Sequence, residues 1–196
     1  MKQPLKENRI FENNLLERLS KTNAYVVIIA YIVISLGIFI SHSFTSDLSL
    51  VFQIFLFLGG LFFFSFTEYM VHRYLFHSDK PVEKGNITYR LHHIHHDHPR
   101  DKKRLALPLP IGLIVASVLY LIIWLLLGMY APFFFPGFIT GYALYLLIHY
   151  LIHTRRPPKN IFRMLWTNHH IHHYRDDTKA YGVTTPLWDF VFNTAP

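Results

Sequence analysis

Residues 133–153 read FFFPGFITGYALYLLIHYLIH. This stretch holds no Lys, Arg, Asp or Glu. At about 1.5 Å of rise per residue, such a run crosses the roughly 30 Å hydrocarbon core of a bilayer. It ends on His149 and His153, four apart and therefore on one face of a helix. Three more charge-free runs lie upstream. Residues 24–40 read AYVVIIAYIVISLGIFI, residues 48–67 run on into Glu68-Tyr69-Met70-Val71-His72, and residues 105–127 form the last. Pro108, Pro110, Pro132 and Pro136 fall near the starts of the last two runs, where proline costs a helix least. The first run is no signal peptide: its basic leader is long, and no small-x-small cleavage site follows. The pattern predicts an all-α integral membrane protein with four transmembrane helices.

The basic residues set the orientation. Of 19 Lys and Arg in 196 residues, five precede the first run, eight lie from Arg73 to Arg104, and six follow from Arg155 to Lys179. The connections at residues 41–47 and 128–132 hold none. The positive-inside rule then places both termini and the central loop in the cytoplasm. The same alternation disfavours the alternative of a soluble helical core. Composition agrees: 52% of residues are hydrophobic and only 16% charged, against about 25% charged in a typical soluble domain. Disorder is excluded, because it needs low hydrophobicity and high charge. With no cysteine, disulfide scaffolds and thiolate zinc sites are excluded too. The net charge of +7 follows topology, so nucleic acid is a poor partner.

Two units are expected: a cytoplasmic amino-terminal segment, residues 1–23, and a membrane-embedded domain, residues 24–196. Leu5, Ile10, Phe11, Leu15, Leu16 and Leu19 stand among charges in the first. That segment reads either as an interfacial amphipathic helix or as a solvated tail. Arg100, Lys102, Lys103 and Arg104 read either as a patch for lipid headgroups or a redox partner, or as a solvated loop. Trp166 and Trp188 are candidate interfacial anchors.

Ten of the 14 histidines fall into spaced groups. His72 and His77 frame HRYLFH; His92, His95 and His96 lie in LHHIHH; His149 and His153 frame HYLIH; His169, His172 and His173 lie in NHHIHH. Every group maps to the cytoplasmic end of a run or to a cytoplasmic segment, so distant groups can converge at one membrane face. Spacings of three and four put imidazoles on one helical face. His72 and His77, about 140° apart on an ideal helix, fit best where the helix frays before Ser78. Ten ligands exceed the four of tetrahedral zinc and suit two ions of higher coordination number. Imidazole suits iron, zinc and copper, and it stays neutral while it coordinates. His42, His93, His98 and His170 stand outside these spacings and read as structural.

These motifs carry a resemblance. Glu68-Tyr69 before HRYLFH, LHHIHH followed by Pro99 and Arg104-Leu105, HYLIH, NHHIHHY, and Gly182-Val183-Thr184-Thr185-Pro186-Leu187-Trp188-Asp189 with Phe192 and Thr194 resemble the fatty acid hydroxylase superfamily. Within it the segments are most similar to the fatty acid (sphingolipid) 2-hydroxylases. The resemblance covers residues 68–194. It implies a cytoplasmic histidine-rich helical cap holding a di-metal site, with the ten histidines as ligands. It further implies two iron ions and O2 as cosubstrate; zinc can replace iron in purified protein, since imidazole sites accept both. The reaction implied is hydroxylation of carbon 2 of a fatty acyl chain, free or in a ceramide-like lipid.

Two departures from the relatives stand out. An Asp common three residues before the HxxxH pair is here Leu146, for which the bland reading is a side chain facing lipid. The fused cytochrome b5 domain of many relatives has no counterpart, since no His-Pro-Gly-Gly segment occurs. The expected electron donor is therefore a separate protein such as cytochrome b5, a ferredoxin or a reductase. Glu68, one turn before His72, and Asp189 are the candidate carboxylates that orient ligand imidazoles. The alternatives are hydroxylation or desaturation of a carotenoid, a sterol or another acyl carbon. A non-enzymatic alternative is a histidine-rich metal transporter or sensor. Transporters place ligands near the bilayer midplane, which the wholly apolar run centres disfavour.

Overall fold

The computed structural model describes residues 13–77 and 92–196, and among these there is no β-strand. Eight α-helices follow one another: α1 (Asn14–Leu19), α2 (Ala24–Ser43), α3 (Leu50–Met70), α4 (Ile94–Asp97), α5 (Leu109–Leu127), α6 (Ala131–Thr154), α7 (Arg163–Tyr174) and α8 (Leu187–Val191). Each apolar run becomes a long helix because nothing polar interrupts it. Its start is set by a cap or a proline. The Asn23 side chain accepts from the Tyr25 N–H at the head of α2, and the Ser49 side chain accepts from the Phe52 N–H at the head of α3. Pro110 lies in the first turn of α5 and Pro132 in that of α6.

Among the described residues, three stretches are long and apolar enough to cross a membrane: Ala24–Ser43, Leu50–Phe76 and Leu109–Thr154. The third contains a reversal. Gly128, at φ 53° and ψ −124°, ends α5, and a 3₁₀ turn, Gly128–Tyr130, leads into α6. The rings of Tyr120 and Phe135 then meet at 5.0 Å. Fifteen residues of unbroken helix would hold them about 22 Å apart. So α5 and α6 fold back on each other. Their outer faces are hydrocarbon: Ile29 of α2, Val51 of α3 and Leu126 of α5 are 61%, 78% and 76% exposed. Continuous apolar faces of this kind suit lipid, because water would penalise them.

The central helix is α6, which packs against α2 and α3. Its buried face includes Phe133, Phe135, Phe138, Ile139, Ala143 and Leu146. Leu146 is therefore in the core and does not face lipid. Helices α3 and α6 approach closely because small residues face each other. A Cβ on Gly137 would collide with the Phe57 carbonyl, and one on Gly60 with the Phe134 carbonyl. We expect Gly137→Ala to destabilise the fold by about 3 kcal/mol through overpacking. Gly37→Ala, where a Cβ meets nothing within 4 Å, should be silent. Thermal denaturation in detergent reads the difference.

Several boundaries and roles differ from expectation. Leu105 and Ala106 are buried in a loop, and α5 begins only at Leu109, after Pro108 has held its backbone extended. Pro136 lies inside α6, with its carbonyl accepting from Ser35 Oγ at 2.9 Å. Trp166 is buried and donates its indole N–H to the Arg155 carbonyl at 3.1 Å, beyond the end of α6, so it is no interfacial anchor. Arg104 is buried as well. Its guanidinium donates to Glu17 Oε1 of α1 at 2.5 Å and to Asp101 Oδ2 at 3.2 Å, which removes it from any surface patch. This pair ties α1 to the loop that follows α4. Most of the expected amino-terminal amphipathic segment, Leu5, Ile10 and Phe11 included, lies outside the described residues.

Candidate metal centre

The helices α3 and α6 bring their histidine-bearing ends to one end of the bundle, where α4 and α7 meet them. Beyond Met70, α3 does not fray. It widens into a π-helical turn, Val71–Phe76, closed by the His77 N–H on the His72 carbonyl at 3.1 Å. A turn that closes every five residues puts residues five apart on one face, which an α-helix does not do. This is how His72 and His77 come to point the same way.

The ten spaced histidines gather into two groups of five. One holds His72, His77, His92, His96 and His172; the other holds His95, His149, His153, His169 and His173. In each, five ring nitrogens lie within 4.8 Å of one another. His42, His93, His98 and His170 belong to neither. Each HxxHH motif is divided. The pair four apart goes to one group and the remaining histidine to the other: His92 and His96 against His95 on α4 and its leading turn, His169 and His173 against His172 on α7. At the seam, the rings of His96 and His173 stack at 4.1 Å.

Hydrogen bonding cannot account for this packing. His92 Nε2 stands 3.1 Å from the Nε2 atoms of both His72 and His77, and 2.9 Å from that of His96. A neutral imidazole nitrogen carries either one hydrogen or one lone pair, so it bonds at most one of the three. His72 Nδ1 donates to the Tyr181 carbonyl at 2.5 Å and His172 Nδ1 to the Lys179 carbonyl at 2.7 Å. Those bonds fix the tautomer and leave a bare lone pair on each Nε2. Burial also pushes the His92, His95, His96, His169, His172 and His173 imidazoles below the usual histidine range, and His77 down to about 3. Neutral lone pairs aimed at a common centre suit a shared cation. Two nitrogens about 2.1 Å from one ion stand about 3.0 Å apart at a right angle and about 3.4 Å apart at the tetrahedral angle. The closest Nε2 pairs here lie at 2.8–3.2 Å, which fits more than four ligands per ion. An open cleft of about 310 Å³, lined by His96, His172, His173 and Asp177 among others, reaches both groups from the polar side.

The model of the fatty acid hydroxylase family matches residues 57–194, which takes in all ten histidines. The chain belongs to the fatty acid hydroxylase family. It is 34% identical over 92% of its length to the ceramide very long chain fatty acid hydroxylase of Saccharomyces cerevisiae, of which it spans 48%. It is 32% identical over 95% of its length to the fatty acid 2-hydroxylase of Rattus norvegicus, of which it spans 56%. The chain thus spans about half the length of these relatives. A solved structure of full-length scs7p, in which only the hydroxylase domain is visible, superimposes with a TM-score of 0.83 at 33% identity. That match covers 93% of this chain and 70% of the other.

Within this hydroxylase fold the two expected carboxylates are buried, but neither hydrogen-bonds an imidazole among the described residues. Glu68 Oε1 accepts from the Val183 N–H at 2.6 Å and the Thr184 N–H at 3.0 Å, and Oε2 accepts from the Thr184 hydroxyl. Asp189 accepts from the Tyr181 and Gly182 N–H groups, both at 2.9 Å, and from the Thr194 hydroxyl at 2.8 Å. Four successive amides, 181–184, are thus held by two acids. Gly182 is needed there, since a Cβ would collide with the Thr185 carbonyl. The same loop offers the Lys179 and Tyr181 carbonyls to His172 and His72. These two carbonyls were missed by sequence reasoning, because a backbone acceptor has no side-chain signature. Trp188 packs on Phe66 and donates to Ser65 Oγ at 3.0 Å, fastening α8 to α3.

Proposed function

We propose that the chain is a membrane di-iron oxygenase that hydroxylates carbon 2 of a fatty acyl chain, free or in a ceramide-like lipid. The observation that carries this reading is the pair of five-imidazole groups at the end of an apolar helical bundle, in a member of this family. The relatives named above as fatty acid 2-hydroxylase and ceramide hydroxylase support the choice of substrate. When bound, the two ions supply the activation of O2, which side chains alone cannot perform. One oxygen atom enters the C–H bond, and the other leaves as water with two electrons and two protons from a separate donor protein.

The chain's own residues do the rest. The ten histidines hold the ions, with zinc able to replace iron in the purified protein. Glu68 and Asp189 position the loop at residues 179–184, and through its carbonyls His72 and His172. The proposed arrangement has four crossings, with α5 and α6 counted separately, and both termini and the site on the cytoplasmic side. The absence of basic residues at 41–47 and 128–132 supports it. An acyl chain lying between the helices, its polar head held at the membrane surface, presents the carbon beside its carbonyl at the depth of the helix ends. Deeper carbons would have to fold back. Position choice thus follows from the depth of the site.

Expression in a host without 2-hydroxylated lipids under 18O2 tests this. We expect membrane acyl chains carrying one 18O at carbon 2. A new double bond, a hydroxylated terpenoid ring, or oxygen drawn from water would reject the reading.

A further inference from the structure

The two histidine groups differ in what stands behind them. In the first, the Nδ1 atoms of His72 and His172 donate to the Tyr181 and Lys179 carbonyls. Asp177 faces His77 Nδ1 at 3.8 Å. Among the described residues, no Nδ1 atom of this group is both buried and without a hydrogen-bond partner. In the second group, the Nδ1 atoms of His95, His149, His169 and His173 are all buried without a hydrogen-bond partner.

The cause lies in the elements behind each group. The loop at residues 179–184, held by Glu68 and Asp189, turns its carbonyls towards the first group. Behind His149 of the second stand hydrocarbon and a ring face. One turn before His149 on α6 is Leu146, 1% exposed and without an acceptor. The Tyr145 ring stacks on His149 at 5.4 Å, presenting its face.

Outer acceptors fix the tautomer and rotation of a ligand imidazole and raise its basicity, and their loss typically lowers metal affinity about 10–100-fold. From this asymmetry we infer that the two sites are unequal: the group around His92 holds its ion at least about ten-fold more tightly than the group around His149. The second site is then the one that exchanges metal with its surroundings. The inference rests on the two-ion reading proposed above.

The test uses the full chain in lipid nanodiscs, loaded with zinc alone and titrated with a chelator, with retained zinc counted by mass spectrometry. We expect two steps of one ion each, separated by about ten-fold or more in free chelator. His153→Ala should keep only the late step, and His77→Ala only the early one. Both ions leaving the wild-type chain in one step would overturn the inference while sparing the two-ion reading. So would a reversed assignment in the two variants. A chain that binds no zinc at all would remove the two-ion reading, and the inference with it.

Discussion

His92→Ala is expected to abolish the proposed 2-hydroxylation and to strip one ion from the chain. No other ring nitrogen of the first group has as many close neighbours, with three Nε2 atoms within 3.1 Å. It also belongs to the leading turn of α4, so its loss leaves only His96 of that segment in the group. Losing an outer partner of a ligand costs about 10–100-fold in affinity or activity, and losing the ligand itself should exceed that, at more than about 100-fold. His170→Ala is the matched control. It neighbours His169 on α7 but belongs to neither group, so metal content and turnover should stay near wild type. Product quantified by mass spectrometry, beside zinc or iron per chain, checks both. Full turnover in His92→Ala would mean that this group is no centre of the chemistry.

Asp189→Ala should destabilise the fold and loosen the first site through the loop at residues 179–184. The substitution strands the amides of Tyr181 and Gly182, both now 2.9 Å from the carboxylate, and leaves the Thr194 hydroxyl with Tyr69 alone. A buried group left unpaired costs about 1–3 kcal/mol, so a total near 4 kcal/mol is expected. For a chain of this size that lowers the melting temperature by roughly 10 °C. Once the loop is released, His72 and His172 lose the carbonyls that orient them, while the second group keeps its own framework. The variant should therefore lose affinity for one ion and not for both. A melting temperature unchanged from wild type would contradict the assigned role of Asp189, as would equal weakening of both sites.

The helices and the ten histidines were legible for the same reason: each depends on which residue types recur at which spacing. An apolar run without a charge has few alternatives to a membrane helix. Four separate groups at metal-ligand spacings, all assigned to one membrane face, have to converge. The division into two groups was less legible. Three histidines at i, i+3 and i+4 spread over about 100° of a helix, broad enough to serve two adjacent centres. Composition does not say which member turns which way. The π-helical turn was missed because it is a change of backbone hydrogen bonding with no residue signature of its own. Arg104 and Trp166 were misread because their partners, Glu17 and the Arg155 carbonyl, meet them only through tertiary contact. Glu68 and Asp189 were singled out as carboxylates that orient imidazoles. They hold the four amides 181–184, and the route proposed from them to His72 and His172 runs through the backbone.

The proposed chemistry depends on these ten histidines holding two metal ions. Anomalous scattering at the metal edge, from crystals of the intact metal-loaded chain, tests it most directly. Two peaks are expected, one enclosed by His72, His77, His92, His96 and His172, the other by His95, His149, His153, His169 and His173. A single peak would contradict the two-ion reading, as would a peak at His42, His98 or His170, or one midway along the apolar helices.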